Sequence, residues 1–186
     1  MVALSTPNLD TNFSAQDFNL MGIDGKYYSL NDFCNFKALI VMFICNHCPY
    51  VKAIITKLVH DMKELHTKHN VGAVAIMPND TESYPEDSYE NMALFAKEHK
   101  FNFPYLIDDT QEVAKKYGAV CTPDFFGFNS ELKLCYRGCF DKSGMNEINN
   151  EQKDRDLLNA MVYTVTTGKP IENQRSSIGC SIKWKG

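Results

Sequence analysis

The stretch that decides the fold is Ala38-Leu-Ile-Val-Met-Phe-Ile44, followed at once by Cys45-Asn-His-Cys-Pro49. The first segment is a continuous apolar run, which is typical of a central strand covered on both faces. Residues 50–69 then carry apolar side chains at intervals of three and four, which predicts a helix packed through one face. Pro49 suits the first turn of that helix, where a missing N–H costs nothing. Both cysteines therefore lie where a buried strand gives way to a helix.

The rest of the chain alternates between strand-like and helix-like segments, which indicates an α/β fold. The expected order is hairpin, strand, helix, strand, helix, strand, helix, hairpin and helix. The corresponding bounds are Phe13–Leu20 with Lys26–Leu30, Ala38–Ile44, 50–69, Val71–Met77, Tyr89–His99, Tyr105–Ile107, a helix capped by Thr110 and ending at Tyr117, Phe125–Phe128 with Leu132–Tyr136, and Asp154–Thr167. A short helical turn is expected after Asn31 or Asp32. We expect one domain over residues 1–186, with a tail from about residue 169 that is harder to place.

Composition and charge exclude several classes of function. The 186 residues are 44% apolar with a formal net charge of -4, and neither sign forms a long block. Binding to nucleic acid or to a membrane surface through a basic patch is therefore not expected. The first residues lack the basic and apolar regions of a secretory signal, and the run Ala38–Cys45 is too short to span a bilayer. We expect a cytoplasmic protein whose thiols are kept reduced.

A Cys-x-x-Cys pair at the start of a helix favours thiol chemistry. Helix N-termini carry partial positive charge, which stabilises a thiolate and lowers the pKa of the thiol. We expect Cys45 to be the exposed, attacking thiolate and Cys48 to be the shielded, resolving partner. His47 either places positive charge near the Cys45 sulfur or is simply exposed at the helix start. No second pair of ligands completes a zinc site, since Cys135 and Cys139 have no matching histidines, so no metal is expected.

Two segments carry a resemblance to a known superfamily. Phe43-Ile-Cys-Asn-His-Cys-Pro-Tyr-Val-Lys52 resembles the active-site turn of the thioredoxin superfamily. Val120-Cys-Thr-Pro-Asp-Phe-Phe126 resembles the segment in which that superfamily places a cis-proline opposite the cysteine pair. The resemblance implies that the Thr122 backbone pairs with a substrate chain and that Pro123 keeps metal ions off the thiols.

The N-terminal hairpin and the segment 78–104 resemble the peroxiredoxin-related branch of that superfamily, the AhpC/TSA or redoxin type. The tail Ser177-Ile-Gly-Cys-Ser-Ile-Lys-Trp-Lys185 is similar to that of peroxiredoxin-like thioredoxin-fold proteins. The implied fold is thioredoxin-like: a central mixed sheet flanked by helices, with an N-terminal β-hairpin and an inserted strand–helix segment.

The residues around the cysteines differ from the patterns of both peroxiredoxins and thioredoxins. Peroxiredoxins place Pro and Thr upstream of the reactive cysteine, where this chain has Ile40 and Met42. Thioredoxins bury an acid in the preceding strand, where this chain has Leu39. The acid that membrane-anchored thioredoxin-like reductases use after the next strand corresponds to Asp80 or Glu82, although both also suit a solvated loop.

The predicted function is thiol–disulfide oxidoreduction without a metal or organic cofactor. The expected substrate is a disulfide-containing protein or small molecule, and the expected reductant is a dithiol protein or glutathione. One alternative is a thiol peroxidase in which Cys45 is oxidised and Cys48, Cys121 or Cys180 resolves it. The other is a non-enzymatic binding module or metal carrier. Cys121 and Cys180 otherwise pack as buried thiols, and the remaining cysteines, Cys34, Cys135 and Cys139, are expected to be structural or incidental.

Overall fold

The computed structural model describes residues 2–142 and 155–186. Within those ranges the strands are β1 (Ala3–Ser5), β2 (Asn19–Gly22), β3 (Tyr27–Ser29), β4 (Ala38–Phe43), β5 (Val71–Met77), β6 (Tyr105–Ile107), β7 (Cys121–Thr122), β8 (Asp124–Asn129), β9 (Leu134–Tyr136) and β10 (Ile178–Ser181). The helices are α1 (Pro49–His69), α2 (Tyr89–Glu98), α3 (Glu112–Tyr117) and α4 (Asp156–Thr167), with 3-10 turns at Leu30–Phe33 and Pro85–Asp87.

The main sheet has the strand order β3-β2-β6-β5-β4-β8-β9. Strand β4 pairs in parallel with β5 and antiparallel with β8, and β5 pairs in parallel with β6. Every residue of β4 is buried, because helices and loops cover both faces of the sheet. Ile40 and Met42 point into one half of the core, whereas Leu39, Val41 and Phe43 point into the other. This mixed sheet flanked by helices confirms the fold expected from the sequence.

Helix α1 carries the active-site turn at its start. Its buried positions are Val51, Ile54, Ile55, Leu58, Asp61, Met62 and Leu65, which follow the spacing of a one-faced amphipathic helix. The helix ends at Asn70, whose left-handed backbone (φ 56°) closes the last turn. None of the helices in the described ranges combines the length and apolar character needed to cross a membrane.

Several predicted bounds differ from the structure. The first hairpin strand, predicted over Phe13–Leu20, is β2 at Asn19–Gly22, and the helical turn expected after Asn31 or Asp32 begins at Leu30 with Ser29 as its N-cap. The predicted start of α4, Asp154, lies outside the described residues.

The Thr110 hydroxyl accepts the Glu112 N–H at 3.4 Å, although Gln111 is the N-cap residue of α3. The buried carboxylate of Asp108 accepts the amide hydrogens of Val113 and Ala114 at 3.4 and 2.8 Å. These bonds satisfy the first turn of the helix from a residue that precedes Thr110.

A second, smaller sheet joins distant parts of the chain in the order β1-β10-β7. Strand β10 lies in the tail and pairs antiparallel with β1 on one side, where Ala3 faces Cys180. On its other side it pairs antiparallel with β7, where Cys180 faces Thr122. Each strand is too short for alternation of polarity to be recognised, so the pattern of the sequence did not indicate this sheet.

We expect Gly179→Ala to loosen β10. A Cβ atom at this position would lie 2.2 Å from the Thr122 carbonyl oxygen, which belongs to the backbone and has little room to yield. Overpacking of this kind costs about 1–3 kcal/mol. The free energy of unfolding, measured with denaturant, should fall by that amount. Gly186→Ala is the matched control, since its Cβ would meet open space, and equal stabilities of the two variants would contradict the close approach.

Candidate active site

The cysteine pair lies in the turn between β4 and α1. Both residues are fully buried at 0% exposure, which differs from the expectation that Cys45 is exposed. Cys48 is the N-cap residue of α1, whereas Cys45 precedes the helix by a full turn. The partial positive charge of the helix terminus therefore acts on Cys48 more than on Cys45.

Thr122 contacts both sulfurs from the opposite side. Its peptide bond to Pro123 is cis, as the resemblance implied. The hydroxyl oxygen of Thr122 lies 3.3 Å from Cys45 Sγ, and its carbonyl oxygen lies 3.0 Å from Cys48 Sγ. The loop that resembles the cis-proline segment thus closes over the pair and brings together Cys45, Cys48, Thr122 and Pro123, as the sequence predicted.

The sulfur with the lowered pKa is Cys48, not Cys45 as the sequence suggested. The Cys45 thiol donates a hydrogen bond to Cys48, and the Cys180 and Thr122 side chains also support the Cys48 thiolate, so its pKa falls to about 5 despite burial. The pKa of Cys45 is raised by the same hydrogen bond, by burial and by the nearby Asp87 carboxylate. In the reduced pair, these shifts favour the thiolate on Cys48 over the thiolate on Cys45.

Asp87, a residue that the sequence analysis missed, is the buried acid of this site. Its carboxylate is completely buried. Oδ1 accepts the backbone N–H of Asn46 at 2.8 Å and that of His47 at 3.3 Å. Oδ2 accepts the Asn79 amide at 2.8 Å and lies 2.7 Å from His47 Nδ1. These donors keep the pKa of Asp87 low against the opposing effect of burial, so the site holds a fixed negative charge beside the cysteine turn.

His47 is the titratable partner of the Asp87 carboxylate, with 2.7 Å between Nδ1 and Oδ2. The hydrogen bond to Asp87 raises the pKa of its imidazole, although burial acts in the opposite direction. The same Nδ1 atom lies 4.0 Å from Cys45 Sγ, and the ring stacks on Tyr84 with centroids 5.7 Å apart. His47 is therefore half-buried near Cys45 rather than exposed at the helix start, and any positive charge that it carries is paired with Asp87.

Asp80 and Glu82, the acids expected after β5, do not occupy this position. Asp80 Oδ1 accepts the backbone N–H of Glu82 at 3.1 Å, and a hydrogen bond from Ser83 lowers the pKa of Asp80. Glu82 is exposed. Both acids organise the loop, while Asp87 further along the same segment turns inward. Nothing in the local sequence separates Asp87 from its acidic neighbours, since only the folding of residues 78–88 selects it.

The other cysteines divide into one near the pair and several apart from it. Cys180 Sγ lies 3.1 Å from Cys48 Sγ. Cys121 is buried and contacts the Pro123 carbonyl at 3.5 Å, which matches the expected packing role. Cys34 is exposed, and the sulfurs of Cys135 and Cys139 contact the Gly168 carbonyl and the Asp156 carboxylate, respectively.

Three side chains of the site could in principle hold a metal ion. Ligand atoms of Cys45, His47 and Asp87 lie within 4.8 Å of one another. Binding would require Asp87 and His47 to give up the 2.7 Å hydrogen bond between them. The cluster thus fits a hydrogen-bonded positioning network better than a preformed metal site.

One open groove reaches the cysteine turn from the surface. It has a volume of about 630 Å³ and is lined by Asn46, His47, Lys52, Glu86, Asn91, Leu94, Phe95, Glu98 and His99. Asn46 forms its inner wall and is held by the buried Tyr105 hydroxyl, which donates to Asn46 Oδ1 at 3.0 Å. This groove meets the turn at Asn46 and His47, the two residues after Cys45, whereas Cys48 contacts Cys180 of β10.

Comparison with known proteins identifies the family. The model of the AhpC/TSA family matches residues 12–140. The chain belongs to the AhpC/TSA family. No curated protein sequence matches it. Among solved structures, an uncharacterized conserved protein from Geobacillus kaustophilus is 43% identical with a TM-score of 0.90, over 100% of this chain and 97% of that one. A hypothetical protein from Sinorhizobium meliloti is 36% identical with a TM-score of 0.89, over 98% of both chains.

Solved structures of lower identity share the fold of this AhpC/TSA protein. The thioredoxin domain of a thiol-disulfide oxidoreductase from Bacteroides vulgatus has a TM-score of 0.58 at 20% identity, over 70% of this chain and 89% of that one. A peroxidoxin from Mycobacterium tuberculosis has a TM-score of 0.62 at 16% identity, over 86% of this chain and 97% of that one. At such identities the likeness establishes the thioredoxin-like fold alone.

The hydrogen bond from Cys45 to Cys48 leads to a testable prediction for this AhpC/TSA protein. Cys45→Ala removes the donor and should raise the pKa of Cys48, which lies at about 5, by about 1–2 units, since hydrogen bonds to charged groups contribute about 1.5–3 kcal/mol. Cys45→Ser retains a donor and should raise that pKa less. The ultraviolet absorbance of the thiolate, followed against pH, measures both, with Cys48→Ser as the blank. An unchanged low-pH transition in Cys45→Ala would refute the assignment.

We also expect Asp87→Asn to lower the pKa of His47, because the carboxylate is the main cause of its elevation. Since the folded-state pKa of His47 is raised, protonated His47 stabilises the fold below its unfolded pKa, and this contribution disappears as pH rises through the folded pKa. Nuclear magnetic resonance titration of the His47 ring measures the shift. Glu82→Gln, an exposed acid of the same loop, should leave that titration unchanged.

Proposed function

We propose that this protein is a thiol–disulfide oxidoreductase that cycles Cys45 and Cys48 between dithiol and disulfide. The observation that carries the proposal is the closure of the cis Thr122–Pro123 loop over both sulfurs, at 3.3 Å from Cys45 and 3.0 Å from Cys48. An ionised Cys48 next to a protonated Cys45 is a reactive dithiol, because one sulfur supplies the base that the other needs.

We assign the attack to Cys45, since the two residues that follow it, Asn46 and His47, line a groove open to the surface, whereas Cys48 is covered by Cys180 of β10. The Cys45 proton passes to the Cys48 thiolate, and the Cys48 thiol so formed donates to the Thr122 carbonyl, 3.0 Å away. The Cys45 thiolate attacks the substrate disulfide, which releases one substrate thiolate and leaves a mixed disulfide. Cys48 then attacks Cys45 Sγ, and the second substrate thiolate leaves with the Cys48 proton.

The substrate we propose is a disulfide in a protein or a small molecule, and the reductant is a dithiol protein or glutathione. Solved relatives of similar fold include a thiol-disulfide oxidoreductase and a thiol:disulfide interchange protein, which supports this class of partner. We propose a cytoplasmic location, where the thiol pool would keep the pair reduced.

A peroxidase is the weaker candidate. Ile40 and Met42 are buried apolar residues of β4 and offer no hydroxyl to a peroxide. The guanidinium of Arg137 is bound to the Asp124 carboxylate at 3.1 Å and to the Gly118 carbonyl at 2.7 Å. Because Arg137 already has these partners, it is not poised beside Cys45 to polarise a peroxide.

Single-cysteine variants test the proposal. Reduced protein should consume a small aromatic disulfide, and Cys45→Ser should abolish the reaction. Cys48→Ser should still attack but accumulate the mixed disulfide on Cys45, detected by mass spectrometry of the intact chain. Cys34→Ser, an exposed cysteine away from the site, should keep full activity.

The same variants incubated with hydrogen peroxide distinguish the two functions. Rapid peroxide consumption that depends on Cys45, combined with no turnover of disulfides, would overturn the oxidoreductase in favour of the peroxidase. Disulfide turnover by Cys45→Ser would remove this cysteine from either mechanism.

A further inference from the structure

The tail of the chain occupies the edge of the site that a substrate strand was expected to use. Strand β10 pairs antiparallel with β7, so that Cys180 stands opposite Thr122. The approach is so close that only glycine fits at position 179, where a Cβ would lie 2.2 Å from the Thr122 carbonyl oxygen. The chain thus presents one of its own cysteines to the cis-proline loop.

The Cys180 sulfur is within reach of a covalent bond. It lies 3.1 Å from Cys48 Sγ, and a disulfide requires a distance of about 2.0 Å, so the two atoms need to close by about 1 Å. Cys180 is 3% exposed and Cys48 is 0% exposed. The two sulfurs therefore meet in a pocket from which solvent is largely excluded.

The position of Cys180 is held from both ends of β10. Before the strand, Ser177 donates its hydroxyl to the Pro123 carbonyl at 2.9 Å. After the strand, the Lys183 backbone N–H donates to the Asn79 side chain at 2.9 Å, and its carbonyl accepts from the Asp80 N–H at 2.9 Å. Gln111 adds a further bond to the Lys183 carbonyl at 2.8 Å. These hydrogen bonds fix β10 in place, so the fold itself holds the Cys180 sulfur next to the Cys48 sulfur.

We propose that Cys180 is a third redox cysteine, which converts the Cys45–Cys48 disulfide into a Cys48–Cys180 disulfide. This inference rests on the proposed function, because that reaction supplies the disulfide. Burial raises the pKa of Cys180, so its thiol gives up the proton as Cys180 Sγ attacks Cys48 Sγ. The Cys48–Cys180 bond forms, and the Cys45–Cys48 bond breaks. Cys45 leaves as a thiolate and takes up the proton that Cys180 released. The exchange is internal, so it consumes no further oxidant or reductant.

The transfer has a functional consequence. Cys45 is returned to its thiol form beside the groove. The oxidising equivalent is then held in the Cys48–Cys180 disulfide, which β10 covers. Cys48 is the shared member of both pairs, which agrees with its position between Cys45 and Cys180. The reductant must then act on the Cys48–Cys180 bond, so β10 has to separate from Thr122 to admit it.

Disulfide mapping of the full chain tests this directly. Reduced wild-type protein is treated with one equivalent of a disulfide oxidant, quenched in acid at intervals, alkylated, and analysed as peptides by mass spectrometry. We expect a Cys45–Cys48 bond first and then a Cys48–Cys180 bond with alkylated Cys45. Cys180→Ser should stop at Cys45–Cys48. Cys135→Ser is the matched control, since this buried cysteine contacts the Gly168 carbonyl, and it should behave as wild type.

The outcomes separate the two proposals. A wild-type end product that contains only Cys45–Cys48, with Cys180 alkylated, overturns the third redox cysteine and leaves the oxidoreductase intact. A product without any bond between Cys45 and Cys48, at every interval and in Cys180→Ser, overturns the proposed function together with this inference. Because the deciding measurement uses wild-type protein, it does not depend on the folding of a variant.

Discussion

The close contact of one residue, Thr122, with two sulfurs and with the backbone of β10 is the constraint on which the site depends. Its hydroxyl meets Cys45 at 3.3 Å and its carbonyl meets Cys48 at 3.0 Å. Its backbone pairs with Cys180 in β10. A loop with this many short contacts has little freedom to move alone, so the turn after β4, the cis-proline loop and the tail strand are held as one unit. The absence of a side chain at Gly179 is a condition of that arrangement.

The electrostatics of the site follow from a second constraint, the burial of Asp87. Its carboxylate is kept ionised by backbone and side-chain donors from Asn46, His47 and Asn79. A fixed negative charge on this side disfavours a second anion on Cys45. The thiolate is therefore favoured on Cys48, where the start of α1 and two neighbouring thiols stabilise it. Asp87 thus influences which sulfur carries the charge without contacting Cys48 itself.

The small sheet makes the two sides of the cysteine pair different. On one side, Asn46 and His47, which follow Cys45, line a groove open to the surface. On the other side, β10 covers Cys48 and carries the Lys183 contacts to Asn79 and Asp80. Asn79 joins the two sides, because its amide donates to Asp87 while its oxygen accepts from Lys183. A change in the tail can consequently reach the acid beside Cys45 through a single side chain.

The sequence by itself determined the elements and the motif. The apolar run 38–44 and the spacing within residues 50–69 placed β4 and α1, because a buried strand and an amphipathic helix leave periodic signals. The motif around Cys45 and the Thr122-Pro123 dipeptide placed the two halves of the site. Only the tertiary structure decided which acid and which further cysteine join them. Asp87 meets Asn46 across 41 residues and Cys180 meets Cys48 across 132, and contacts at such separations leave no periodic trace in the sequence. They exist because the sheet brings distant loops to one edge, and there the folding of the loop 78–88 and the pairing of β10 select one residue each.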